Sequence, residues 1–166
     1  ELISISKKAT VPCLQTSTKI IPESLEIMYW ALSQNDPESL LDVPKVGLDL
    51  IQYNDGVFKT SLDRTKYLSR YSDVKLEEEL KIAKDYMTYL DSLLKTNFLS
   101  SEKMTLVDLA LLPFVRQYAF IDKPWFDKQE WNNVNRWLNL FLNSKSFKKI
   151  QQKHKVWQKG DKPIMF

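Results

Sequence analysis

The sequence predicts a mainly α protein with a short β hairpin near its front, and three observations carry that prediction. Glycine occurs only three times in 166 residues and proline seven times, which suits long helices better than the many turns of a sandwich. From Leu48 onward, apolar residues recur at helical spacing in five or six successive segments, and no strand-like alternation competes. One stretch near the front differs, with short apolar pieces on either side of a polar turn.

That stretch runs from Val11 to Ile21. Val11-Pro12-Cys13-Leu14 and Lys19-Ile20-Ile21 flank Gln15-Thr16-Ser17-Thr18, the pattern of a hairpin. Two strands alone are marginal in water, so the remaining strands of its sheet are expected upstream of Glu1. Pro22-Glu23-Ser24 then leads into Leu25, Ile27, Met28, Ala31 and Leu32, an amphipathic helical face with Ser24 as its expected N-cap. Asn35-Asp36-Pro37 through Pro44, Lys45 and Gly47 collects helix breakers. This divides the chain into residues 1–34, a linker at 35–47, and an all-α unit at 48–166.

Within that unit, helices are expected over Leu48–Asn54, Thr60–Tyr71, Leu76–Lys95, Leu106 to about Ile121, Trp131–Leu142 and Phe147–Lys155. Asn54-Asp55-Gly56 predicts a turn between the first two. Thr105-x-x-Asp108, with Met104 before it and Leu109 after it, predicts a capping box that starts and aims a buried helix.

Composition limits the function. Hydrophobic residues make up 43% of the chain, including five Trp, seven Tyr and eight Phe, enough apolar area for a core without staples. One cysteine, Cys13, rules out an internal disulfide and suits a reducing compartment. The single histidine, His154, sits in a basic stretch without an acidic partner, and reads as an exposed helical residue rather than a metal ligand. The formal charge of +3, with both signs interspersed, argues against nucleic acid. The longest apolar run, Leu109 to Val115, is far short of the ~20 residues that span a bilayer.

Two pairs of residues bear on chemistry. In Val11-Pro12 a proline follows a strand-forming residue, and a cis bond there would expose the Val11 backbone to an extended peptide. In Glu23-Ser24 a helix start offers N–H groups to a carboxylate while the neighbouring acid suits an ammonium. A trans proline and a plain helix cap account for either pair alone. Set one hairpin apart, they describe a site for a short peptide that ends in an α-amino acid, as γ-glutamyl-cysteinyl-glycine does.

In Thr10-Val11-Pro12-Cys13-Leu14-Gln15, Pro22-Glu23-Ser24-Leu25-Glu26-Ile27-Met28, the capping box with Leu111-Leu112-Pro113-Phe114-Val115-Arg116-Gln117, and the tail Trp157-Gln158-Lys159-Gly160-Asp161, the chain resembles the cytosolic glutathione transferases, particularly their bacterial omega-like branch. The resemblance implies the C-terminal part of a thioredoxin-like α/β domain, hairpin plus helix, followed by the all-helical C-terminal domain. It implies that Val11 holds the cysteinyl part of glutathione through its backbone beside a cis Pro12, and that Glu23 and Ser24 hold the γ-glutamyl end. It also implies a cytoplasmic homodimer with glutathione as co-substrate, acting on a small electrophile or a disulfide. The Cys, Ser or Tyr that activates the thiol is expected before Glu1, so the catalytic residue is unknown from these residues. A non-catalytic module that binds a protein partner through the same fold is the alternative. Tyr67, Tyr71, Phe114, Tyr118, Trp125 and Phe126 are candidates to line an electrophile pocket, with core packing the competing role.

Overall fold

The computed structural model describes residues 10–71, 75–156, 158 and 160–164. Two short strands, β1 (Leu14–Gln15) and β2 (Ile20–Ile21), pair antiparallel with Leu14 opposite Ile21 and Gln15 opposite Ile20. Thr16 closes the turn between them. Its N–H donates to the Lys19 carbonyl at 2.9 Å, and its Oγ1 accepts from the Lys19 N–H at 3.0 Å.

Helix α1 (Ser24–Gln34) follows and lays Leu25 against the helical core. The connection after it is organised by Asp36, whose carboxylate accepts from the N–H groups of Leu40 and Leu41 at 2.8 and 2.9 Å. The Leu40 carbonyl in turn accepts from the Leu106 N–H at 2.8 Å. This side-chain capture of backbone donors gives a Pro-containing segment a fixed course.

Helix α2 (Lys45–Tyr53) begins three residues before Leu48, so Gly47 lies inside a helix. A Cβ on Gly47 would sit 2.5 Å from Val107 Cγ2 and 3.0 Å from Val43 Cγ1. The bare glycine therefore sets how closely α2 approaches the helix that carries Val107. The turn expected at Asn54-Asp55-Gly56 does not form. Residues Asn54–Phe58 make a π-helical turn that runs directly into α3 (Lys59–Lys66). The physical reason is packing: Phe58 is wholly buried, 4.8 Å from the Tyr86 ring and 6.0 Å from the Tyr118 ring. Core contacts of that size outweigh the local preference of an Asn-Asp-Gly triplet. A 3₁₀ turn at Leu68–Arg70 follows α3.

The rest of the bundle is α4 (Leu76–Leu93), α5 (Leu106–Ala119), α6 (Lys123–Phe126), α7 (Asn132–Asn143) and α8 (Lys145–Ile150). Helix α6 was not evident from periodicity. Its start is marked by Asp122, which accepts from the Trp125 N–H at 3.0 Å, with Pro in the first turn. Helix α8 ends at Ile150 because residues 151–155 supply no apolar anchor, which leaves His154 exposed beyond the helix rather than within it. Of the tail motif, Trp157 and Lys159 lie outside the described residues, while Asp161 accepts from Lys155 Nζ at 2.8 Å.

Helix α5 is the centre of the molecule. Leu106, Val107, Leu111, Val115 and Ala119 are all fully buried along it. Its start carries the expected capping box, and the acid of that box does more than cap. Asp108, fully buried, accepts from the Thr105 N–H at 2.9 Å, the Leu99 N–H at 3.0 Å and Trp137 Nε1–H at 2.9 Å. Burial pushes the Asp108 carboxyl up, and the N–H donors pull against that rise. One carboxylate thus ties α5 to the 94–105 loop and to α7. Helices α4 and α7 are joined similarly, since Asp91 Oδ1 accepts from the N–H groups of Asn133 and Val134 at 2.7 and 2.9 Å.

Candidate functional site

The hairpin and α1 position the four candidate residues. Val11 and Pro12 immediately precede Cys13 and β1, and the bond between them is cis. Val11 is 80% exposed. Because Leu14 pairs with Ile21, the hairpin returns the chain toward its own start, and Pro22, Glu23 and Ser24 follow directly on β2.

Ser24 is the first residue of α1 rather than its N-cap. Glu23 holds that position with extended torsions, and its carbonyl accepts the first helical bond from the Ile27 N–H at 3.0 Å. The N–H groups of Ser24, Leu25 and Glu26 thus precede the first intrahelical bond of an 11-residue helix, at the positive end of its dipole. Glu23 and Ser24 are both exposed. Cys13 is half-buried and lies outside β1.

Sequence reasoning passed over the residues that face α1 from the helical unit. Ser24, Leu25 and Met28 share a narrow crevice with Ile51, Asn54, Asp55, Ala110 and Phe114, with room of about 20 Å³, roughly one water. Asn54 is 2% exposed, and its Oδ1 has no hydrogen-bond partner among the described residues. The Asn-Asp-Gly triplet was its only signal, and that signal pointed to a turn. Of the six aromatics considered for an electrophile pocket, Tyr118, Trp125 and Phe126 cluster together, apart from Phe114. Phe114 lines the crevice beside Ser24, Tyr118 and Trp125 line a separate cavity, and Phe126 is buried in the core.

Among the described residues no group of His, Cys, Asp and Glu is placed to hold a metal ion, and no helix is long and apolar enough to cross a membrane.

A hairpin and helix of thioredoxin-like type ahead of an all-helical unit is the glutathione transferase fold. The solved structures bear this out. Poplar glutathione transferase F1 superposes with a TM-score of 0.71 at 20% identity, over 89% of this chain and 75% of its own. A glutathione transferase of Phanerochaete chrysosporium, determined in complex with oxidised glutathione, gives 0.74 at 19% identity, over 89% and 74%. A delta-class enzyme of Nilaparvata lugens gives 0.66 at 25% identity, over 84% and 68%. Residues 73–140 match the family model described as the glutathione S-transferase C-terminal domain. No curated protein matches the sequence. The family match thus covers the greater part of the helical unit, and the described residues share the fold of these glutathione transferases.

Proposed function

We propose that the chain belongs to a glutathione transferase, of the omega-like branch, that binds glutathione through Val11, Pro12, Glu23 and Ser24. It transfers glutathione to a small electrophile or exchanges it with a disulfide. The observation that carries the reading is the juxtaposition of an exposed Val11 with the N–H groups at the start of α1, one hairpin apart. The Val11 backbone pairs with the cysteinyl residue in the manner of an added strand. The γ-glutamyl carboxylate accepts from the Ser24 hydroxyl as well as from the N–H groups at the helix start, and the Glu23 carboxylate accepts from the γ-glutamyl ammonium.

A bound thiol is the nucleophile only as thiolate. The group that holds it in that form is assigned to none of the four residues. Residues 1–34 act as the glutathione-binding unit and 48–166 as the helical domain, joined by 35–47. The protein works in the cytoplasm as a homodimer, and exposed Val46, Tyr53 and Tyr89 beside the groove between α2 and α4 supply apolar surface for the second copy.

Calorimetric titration of glutathione tests the site. Glu23→Ala and Ser24→Ala should each weaken binding about ten- to a hundredfold, the worth of a charge-assisted bond. No binding heat with the parent chain, or an affinity unchanged from the parent's in both variants, overturns the assignment.

A further inference from the structure

Charges of both signs are interspersed over most of the chain, but not over residues 131–160. That stretch holds seven of the 24 Lys and Arg and none of the 21 Asp and Glu, so the rest of the chain is net acidic. An asymmetry of this kind points to an anionic partner.

The fold turns the lysines of this stretch outward. Helix α8 is held from inside by Phe147, whose ring lies 4.6 Å from that of Phe141 and 5.5 Å from the Arg116 guanidinium. Lys145, Lys148 and Lys149, spaced i, i+3 and i+4, share one side of the helix, and Phe147 takes the other. All three are exposed, as is Lys153 beyond the helix end. Lys155 pairs with Asp161 at 2.8 Å, whereas none of these four forms an ion pair among the described residues.

Phosphates of either a nucleic acid or a lipid would satisfy the lysines. The apolar side chains among them decide between the two. Ile150, at the end of α8, is 65% exposed, and Val156 is 87% exposed. A bilayer interface buries such aliphatic groups, whereas nucleic acid is gripped by stacking rings and arginine forks. The one arginine of the stretch, Arg136, is committed to the Leu94 and Thr96 carbonyls at 3.2 and 2.6 Å. We propose that α8 and the segment after it form a docking surface for an anionic lipid bilayer. Lys145, Lys148, Lys149 and Lys153 meet the headgroups, and Ile150 and Val156 enter the interfacial layer. None of the glutathione-site residues takes part.

Co-sedimentation with phosphatidylcholine vesicles, with and without phosphatidylserine as the minor lipid, tests this. The chain should bind saturably to the phosphatidylserine vesicles alone, and less tightly as salt is raised. Lys148→Gln combined with Lys149→Gln should weaken that binding about ten- to thirtyfold, at about fivefold for each charge near the surface. Ile150→Ser should weaken it about three- to tenfold and leave affinity for a mixed-sequence single-stranded oligonucleotide unchanged. The altered positions are exposed, so unfolding temperatures should match the parent's. Absence of binding to phosphatidylserine vesicles, or binding indifferent to the lysine pair or to Ile150→Ser, overturns the proposal. Tighter binding to the oligonucleotide than to the vesicles also overturns it, and makes the face a nucleic-acid surface.

Discussion

Replacing Asp108 with asparagine is expected to cost about 2.5 to 6 kcal/mol, because the side chain accepts on both oxygens at a fully buried position. Oδ1 takes the Leu99 N–H and Trp137 Nε1–H, while Oδ2 takes the Thr105 N–H at 2.9 Å and the Thr105 hydroxyl at 3.4 Å. Asparagine keeps one acceptor oxygen and turns a donor toward the other pair. One charge-assisted bond is lost, about 1.5 to 3 kcal/mol, and one buried N–H is left facing another donor, about 1 to 3 kcal/mol more. That is a large share of the roughly 5 to 15 kcal/mol that holds a domain folded. Urea unfolding followed by tryptophan fluorescence measures it, through a lowered midpoint at unchanged slope. Asp108→Ala, which strands all three N–H donors, should fall further still. A loss under about 1 kcal/mol for asparagine would refute the claim that this carboxylate ties α5, α7 and the 94–105 loop together.

Gly47→Ala should destabilise by about 1 to 2 kcal/mol, since overpacking at Val107 and Val43 outweighs the better helix propensity of alanine. The same change in a Val107→Ala background should cost less, and equal cost in both backgrounds would show that the close approach of α2 to α5 is unimportant. Burial pushes the Tyr118 phenol up to about 12 and the Tyr86 phenol further in the same direction. Their folded values lie above the unfolded ones, so the associated stability is full below about pH 10 and is lost as pH rises through 12. Ultraviolet titration of the folded protein should accordingly show fewer than its seven tyrosines ionising near pH 10, and seven ordinary titrations would contradict this. Tyr89→Glu, at the exposed rim of the α2–α4 groove, should shift the proposed dimer to monomer in analytical ultracentrifugation. An unchanged sedimentation coefficient would exclude that face from the contact.

The parts of the fold that could be read in advance are those set by neighbours in sequence. The capping box at Thr105 and Asp108 spans three residues, and the expected helix at α5 starts where it says. The other bonds of Asp108 reach 9 and 29 residues away, to Leu99 and Trp137, and no local pattern announces them. Asn54-Asp55-Gly56 was misleading for the same reason: the turn preference is local, whereas the burial of Phe58 that overrides it depends on Tyr86 and Tyr118. Gly47 looked like a breaker because the sequence does not show Val107 standing 2.5 Å from its absent Cβ.

The sites divide along the same line. Val11-Pro12 and Glu23-Ser24 are short motifs at the ends of one hairpin, so their juxtaposition is nearly a consequence of chain continuity. The lysines around α8 are legible as a run, whereas the seating of Phe147 against Phe141 that turns them outward is a property of packing.

Amide resonances of the chain, followed while glutathione is added, test the central claim most directly. The account predicts the largest shifts at Val11 and at Ser24, Leu25 and Glu26, whose N–H groups the ligand would occupy. Shifts confined to the helical bundle, or none at saturating glutathione, would contradict it.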